Sequence, residues 1–220
     1  MKRLLTLSVL AVSVLVAGCP QKAPPERGVY LLIDTSGTYT KELDKAQRII
    51  NYILSRMNPG DHFAVARIDT GSFSEKDIVS RTTFDDRPST ANQQKRQFRR
   101  TINNFVEEVK PSQYTDITGG VLQATEWLSE VNAGQKVILI FSDLKEDLPK
   151  GYVRDDITLE LSGFEVVALN VTKLRSDIVD PRKYMGRLDA WQKRVTQAGG
   201  EWRVINDLDH MTGLFKAKDE

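Results

Sequence analysis

Three stretches of this chain are almost uninterruptedly apolar: Val29–Ile33 (VYLLI), Val137–Phe141 (VILIF) and Val166–Val171 (VVALNV). A strand with one face in water alternates apolar and polar residues, whereas a strand covered on both faces does not. The three runs therefore predict the centre of a parallel sheet with helices on both sides. Phe63–Ile68 adds a strand, Asp77–Phe84 is more polar and reads as an edge, and Trp202–Ile205 alternates weakly and reads as the last strand. Helical periodicity fills the gaps. In Lys41–Met57 the residues Leu43, Ala46, Ile49, Ile50, Ile53, Leu54 and Met57 share one face, and Phe98, Ile102, Phe105, Val106 and Val109 do so in the next helix. Ile117–Val131 and Pro181–Ala198 follow, the last with proline in its first turn and Gly199-Gly200 as its stop. Strand and helix in alternation predict a doubly wound α/β domain. No repeat or second linker follows residue 28, so residues 28–220 read as one domain, and 40% hydrophobic content in 220 residues suffices for one core.

Composition narrows the chemistry. Lys and Arg number 31 against 30 Asp and Glu, a formal charge of +1, which excludes binding of nucleic acid by bulk electrostatics. One cysteine excludes an intrachain disulfide and a cysteine-based zinc site. Two histidines, His62 and His210, read as structural or exposed, so a metal here would be a hard ion held by oxygen. Neither a phosphate loop nor a dinucleotide glycine pattern follows the first strand, which argues against nucleotide-driven function. Trp127, Trp191 and Trp202 sit at core spacings, and Lys95, Arg96, Arg99 and Arg100 read as a solvated helix face. Residues 173–187 form a polar connection without a readable role, and oligomeric state defaults to a monomer.

Residues 1–19 are an address. Lys2 and Arg3 precede an apolar run from Leu4 to Ala17, too short for a membrane span of about 20 residues but laid out as a secretory signal. The run ends in Val16-Ala17-Gly18-Cys19, which resembles the lipobox of bacterial lipoproteins. That resemblance implies removal of residues 1–18 and a diacylglycerol on Cys19. It implies an envelope location, with the outer membrane facing the periplasm favoured because Pro20 stands where an Asp would retain the chain. Residues 19–27 then form a lipidated, proline-rich tether of at most about 30 Å.

The site reading starts at the strand ends. Ligands of open parallel sheets bind beyond the carboxyl ends of strands where the strand order reverses. VYLLI runs into Asp34 and VILIF-Ser142 into Asp143. In the order 3-2-1-4-5-6 these are the neighbouring strands 1 and 4, and both carboxylates enter one crevice. Hydroxyls follow Asp34 at Ser36 and Thr38, and a further one, Thr115, opens a helix. Two acids and three hydroxyls make an all-oxygen set suited to Mg²⁺ or Mn²⁺.

This pattern resembles the von Willebrand factor type A family and its metal-ion-dependent adhesion site, an Asp-x-Ser-x-Ser stretch followed by a distant Thr and a distant Asp. Asp34, Ser36 and Thr38 match the first part, Thr115 the second and Asp143 the third. Thr38 replaces the usual second serine, and Leu144 the glycine that usually follows the last acid. The resemblance covers roughly residues 28–206. It implies a six-stranded, mostly parallel sheet in the order 3-2-1-4-5-6 with strand 3 as an antiparallel edge. It implies that the ion takes its last ligand from an Asp or Glu of a protein partner, in a binding module rather than an enzyme. Asp116 reads first as a cap of the Ile117 helix, and Asp69 as an ordinary loop acid; either could instead stand on the rim of the site.

Three other readings compete. Asp34, Ser36 and Thr38 could cap the following helix, which leaves Asp143 unexplained. A haloacid-dehalogenase-like phosphatase carries Asp-x-Asp-x-Thr, but Ser36 stands where its second acid would, and a hydroxyl lacks a suitable pKa for proton transfer. Its remaining acids would have to come from Asp155-Asp156, which follow no apolar strand. A metal-free scaffolding domain would use the fold alone.

Overall fold

The strand β1, Arg27–Asp34, is buried from its second residue to its last. Its side chains divide by parity: Val29, Leu31 and Ile33 enter one apolar cluster, Tyr30 and Leu32 another on the opposite face. Each fully buried aliphatic contributes about 1.5–3 kcal/mol relative to exposure, so this strand anchors both cores. The computed structural model describes residues 25–37, 39–69, 71–154, 157–207, 211 and 213–215. The leader, Cys19, Thr38, Asp155-Asp156 and His210 lie outside the described residues.

After β1 come α1 (Leu43–Arg56), β2 (His62–Ile68), β3 (Ile78–Thr83), α2 (Pro88–Glu108) and α3 (Ile117–Glu130). Then follow β4 (Gln135–Phe141), β5 (Phe164–Leu169), α4 (Arg175–Val179), α5 (Arg182–Gln197) and β6 (Glu201–Ile205). The sheet order is β3-β2-β1-β4-β5-β6, with β3 antiparallel to β2 and every other pairing parallel. Residues of α1 and α2 pack in the first cluster, residues of α3 and α5 in the second. The chain is therefore a doubly wound α/β sheet in the order expected from its resemblance. Because β1 and β4 are adjacent and parallel, with Ile33 opposite Phe141, their ends deliver Asp34 and Asp143 to the same pole.

Several local expectations need correction. The first turn of the Lys41 helix is a 3-10 turn, Thr40–Glu42, and the α-helix proper begins at Leu43. The helix carrying Phe98 begins ten residues before it, at Pro88, because a polar first half with proline in its first turn lacks an apolar stripe yet extends the helix. The polar connection 173–187 contains α4 and the start of α5. Lys95 does not stand on a solvated face: it is half-buried, donates to the Met57 carbonyl at 2.5 Å and lies 5.6 Å from the Phe84 ring centre. His62, by contrast, is structural as expected: it is buried, with Nδ1 2.8 Å from Thr83 Oγ1.

Candidate metal and partner-binding site

Asp34 is 1% exposed and Asp143 4% exposed. Neither is in an ion pair among the described residues, although two carboxylates out of water are costly unless compensated. Burial pushes the Asp34 carboxyl above its usual range, against the hydrogen bonds of Ser142 and Ser36 that pull it down. Burial also raises Asp143, and the negative charge of Asp34 raises it further. The two acids sense each other across the crevice.

Their orientation is built by neighbours. Asp34 Oδ1 accepts from the Ser36 N–H at 2.8 Å, and Oδ2 accepts from the Ser142 hydroxyl at 2.7 Å. Ser142 Oγ in turn accepts from the Leu144 N–H at 3.0 Å. Asp143 Oδ1 accepts from the Lys145 N–H at 2.8 Å, and its backbone carbonyl accepts from Arg187 Nε at 3.1 Å. Leu144, which stands where the resembled motif usually has glycine, has φ of 64°, a left-handed backbone that disfavours a β-carbon, and its side chain is buried. Trp191 Nε1 donates to its carbonyl at 3.2 Å, which helps hold the turn.

A cleft of about 300 Å³ opens over these strand ends, lined by Ser36, Gly37, Ser112, Gln113, Thr115, Asp143, Lys145, Asp147 and Leu174. Thr115 is brought there by paired backbone hydrogen bonds with Asp147, 2.7 and 3.0 Å long. The Ser112 N–H donates to the Thr35 carbonyl at 2.8 Å and ties the same connection to the β1 loop. Ser36, Thr115 and Asp143 thus share one cleft, with Asp34 buried behind Ser36.

The capping reading is not what the described residues show: neither the 3-10 turn nor α1 has a side-chain cap, and Asp34 accepts from the N–H of its own loop. Asp116 does cap α3, accepting from Gly119 N at 2.8 Å, and it forms an ion pair with Arg154 at 2.8 Å. A β-carbon on Gly119 would lie 2.5 Å from Asp116 Oδ2, so glycine is needed for this cap. Asp69 stands 3.3 Å from Arg67 and accepts from the Ser112 hydroxyl at 2.5 Å. It touches a lining residue of the cleft, while Asp116 is committed elsewhere.

Sequence reasoning missed Ser142, Ser112, Lys145, Asp147 and Arg187. Ser142 had a signal, a hydroxyl between an apolar strand and an acid. Lys145 stands two residues after Asp143 and reaches it through a local backbone turn, whereas Ser112, Asp147 and Arg187 become neighbours of the site through long-range contacts.

No family model matches the chain, and no curated protein matches it. Among solved structures, the pilus adhesin SpaC from Lactobacillus rhamnosus GG in an open conformation superposes with a TM-score of 0.54 at 12% identity, over 86% of this chain. The likeness is one of fold. A von Willebrand factor type A protein from Catenulispora acidiphila gives 0.48 at 15% identity over 83% of this chain. The hypothetical protein BatB from Bacteroides thetaiotaomicron gives 0.45 at 13% identity, over 86% of this chain and 95% of its own. The chain spans 39% of the Catenulispora protein and 29% of SpaC.

Proposed function

We propose that this chain is a lipid-anchored envelope protein whose cleft binds a divalent cation, Mg²⁺ or Mn²⁺, and through it a carboxylate of a protein partner. The observation that carries the reading is the pair of buried acids, Asp34 and Asp143, neither in an ion pair among the described residues, beside a cleft that also holds three hydroxyl residues, Ser36, Ser112 and Thr115. The donor set fits the ion: carboxylate and hydroxyl oxygens are what a hard cation takes, and its charge would offset the mutual repulsion that raises Asp143. Asp34, Ser36, Thr115 and Asp143 would hold it, with Thr38 from the same loop. When bound, the ion supplies a positive centre to which a partner's Asp or Glu can bind. The chain's own contribution is preorganisation: Ser142 and the Ser36 N–H fix Asp34, and the Lys145 N–H fixes Asp143. The fold likeness to a pilus adhesin supports binding of a protein rather than turnover of a small molecule.

Calorimetric titration with Mg²⁺ and Mn²⁺ tests the site. Wild type binds, and an Asp34→Ala, Asp143→Ala variant does not; equal affinity in both ends the metal reading. Retention of partner capture in a chelator would favour the metal-free scaffold, and chelator-sensitive phosphatase activity lost in Asp34→Asn would favour the phosphatase. Mass spectrometry of the envelope-extracted amino terminus tests the anchor: diacylglycerol on Cys19 is expected, and an unmodified terminus overturns it.

A further inference from the structure

We infer that the α4 edge of the cleft is a docking surface for an acidic segment of a partner that carries aliphatic side chains beside its carboxylate. The inference rests on the metal-site reading only for where that carboxylate sits. Among the described residues, Val179 (88% exposed) and Ile178 (78% exposed) are the most exposed large apolar side chains, and Met185, at 53%, follows them on the first turns of α5. Single exposed apolar residues are ordinary. Ile178 and Val179 are neighbours at the end of α4, Met185 lies six residues further on in α5, and Leu174, the residue before α4, lines the cleft.

The segment is held stiffly. Asp177 is buried and takes two hydrogen bonds from Arg187, at 2.9 and 2.7 Å, while a third N–H of the same guanidinium reaches the Asp143 carbonyl. Asp177 Oδ2 also accepts from the Leu174 N–H at 2.8 Å. One arginine therefore ties the apolar tip to the loop that bears Asp143, so Ile178 and Val179 are displayed at a defined place relative to the site.

Charge names the partner. Residues 173–187 carry Lys173, Arg175, Arg182, Lys183 and Arg187 against Asp177 and Asp180. Both acids are already used, by Arg187 and by Arg182 at 2.9 Å. Lys183 acts on Asp180 beside it, Lys173 and Arg175 are in no ion pair among the described residues, and Lys145 adds a further cation on the lining of the cleft. Asp143 and Asp147 are the opposing charges on that lining. A segment with five basic residues against two acids and an exposed aliphatic tip complements an acidic segment with apolar residues and repels a basic one.

Labelled peptides of about a dozen residues test this on the full chain in detergent. One has a central Asp flanked by leucines, a second has serine for leucine, and a third has Asn for Asp. In Mg²⁺ the leucine peptide is expected to bind about tenfold more tightly than the serine peptide. Ile178→Ser with Val179→Ser removes that preference and leaves Mg²⁺ affinity by calorimetry unchanged, and Arg175→Glu with Lys183→Glu weakens both Asp peptides. Absence of the leucine preference in wild type, or its survival in the serine variant, overturns the proposal. If the preference appears and calorimetry shows no Mg²⁺ binding, the docking surface stands and the metal reading falls. If Mg²⁺ binds and no preference appears, the metal stands and the surface falls.

Discussion

Asp34 and Asp143 are carboxylates kept from water, and that cost should be measurable without any partner. Replacing Asp143 with Asn keeps an oxygen for the Lys145 N–H and removes a charge that burial disfavours. In chelator, Asp143→Asn should melt about 2–4 °C above wild type, equivalent to ~1 kcal/mol in a chain of this length. In excess Mg²⁺ the order should reverse, because only wild type gains from the ion. A variant less stable than wild type in chelator would show that this carboxylate is not strained. Leu144 poses the opposite balance. Its left-handed backbone costs roughly 1–2 kcal/mol, yet removing a buried leucine costs about 2–5. Leu144→Gly should therefore lose about 2 kcal/mol in urea unfolding, despite restoring the residue usual at that position; a gain would mean strain outweighs packing.

Among the elements, α4 and α5 depend on one guanidinium. Arg187→Met leaves buried Asp177 without its partner and frees the Asp143 carbonyl. The expected loss is about 3 kcal/mol by denaturant unfolding, partly recovered when Asp177→Asn is added. Because Asp143 loses a support, Mg²⁺ affinity should also fall about tenfold, as for other residues that orient ligands from behind; unchanged affinity would make Arg187 purely structural. Nothing in the sequence marked this arginine, since its meaning arises from a contact across 44 positions with Asp143. The central strands were legible because burial on both faces removes alternation, and the acids were legible because they end those strands. Helix α3 was legible from its period and from the cap at Asp116, and the backbone shows why Gly120 follows: a β-carbon there would lie 2.8 Å from Leu32 Cδ2. The first half of α2 was not legible, because between Pro88 and Gln97 only Ala91 is buried.

For the molecule as a whole, acid titration should expose two opposed trends. Asp34 and Asp143 have folded pKa values above their unfolded ones, so the folded state binds protons more readily there. Their penalty is present at neutral pH and is relieved as pH falls through those raised values. Asp177 behaves oppositely: Arg187 holds it down at about 2. Its stabilisation is complete above the unfolded value, near ~3.9, and is lost as pH falls toward about 2. In chelator, stability should therefore rise modestly as pH drops from neutral toward the ordinary carboxylate range, then fall steeply below it. In saturating Mg²⁺ the first trend should invert, since protons then compete with the ion. Superimposable pH curves with and without Mg²⁺ would separate the acids from any cation.

The parallel run of β1 gives the molecule a polarity. Where the chain enters the sheet, the Arg27 N–H donates to Asp61 at 2.8 Å and the Glu26 carbonyl accepts from Gly134 at 2.9 Å, which sets the direction of entry. Seven residues after Arg27, roughly 23 Å away, the same strand ends at Asp34. Root and crown are thus opposite ends of one stiff rod. Under the proposed anchor, the tether would join the domain at its root, which leaves the crown at the end farthest from the point of attachment.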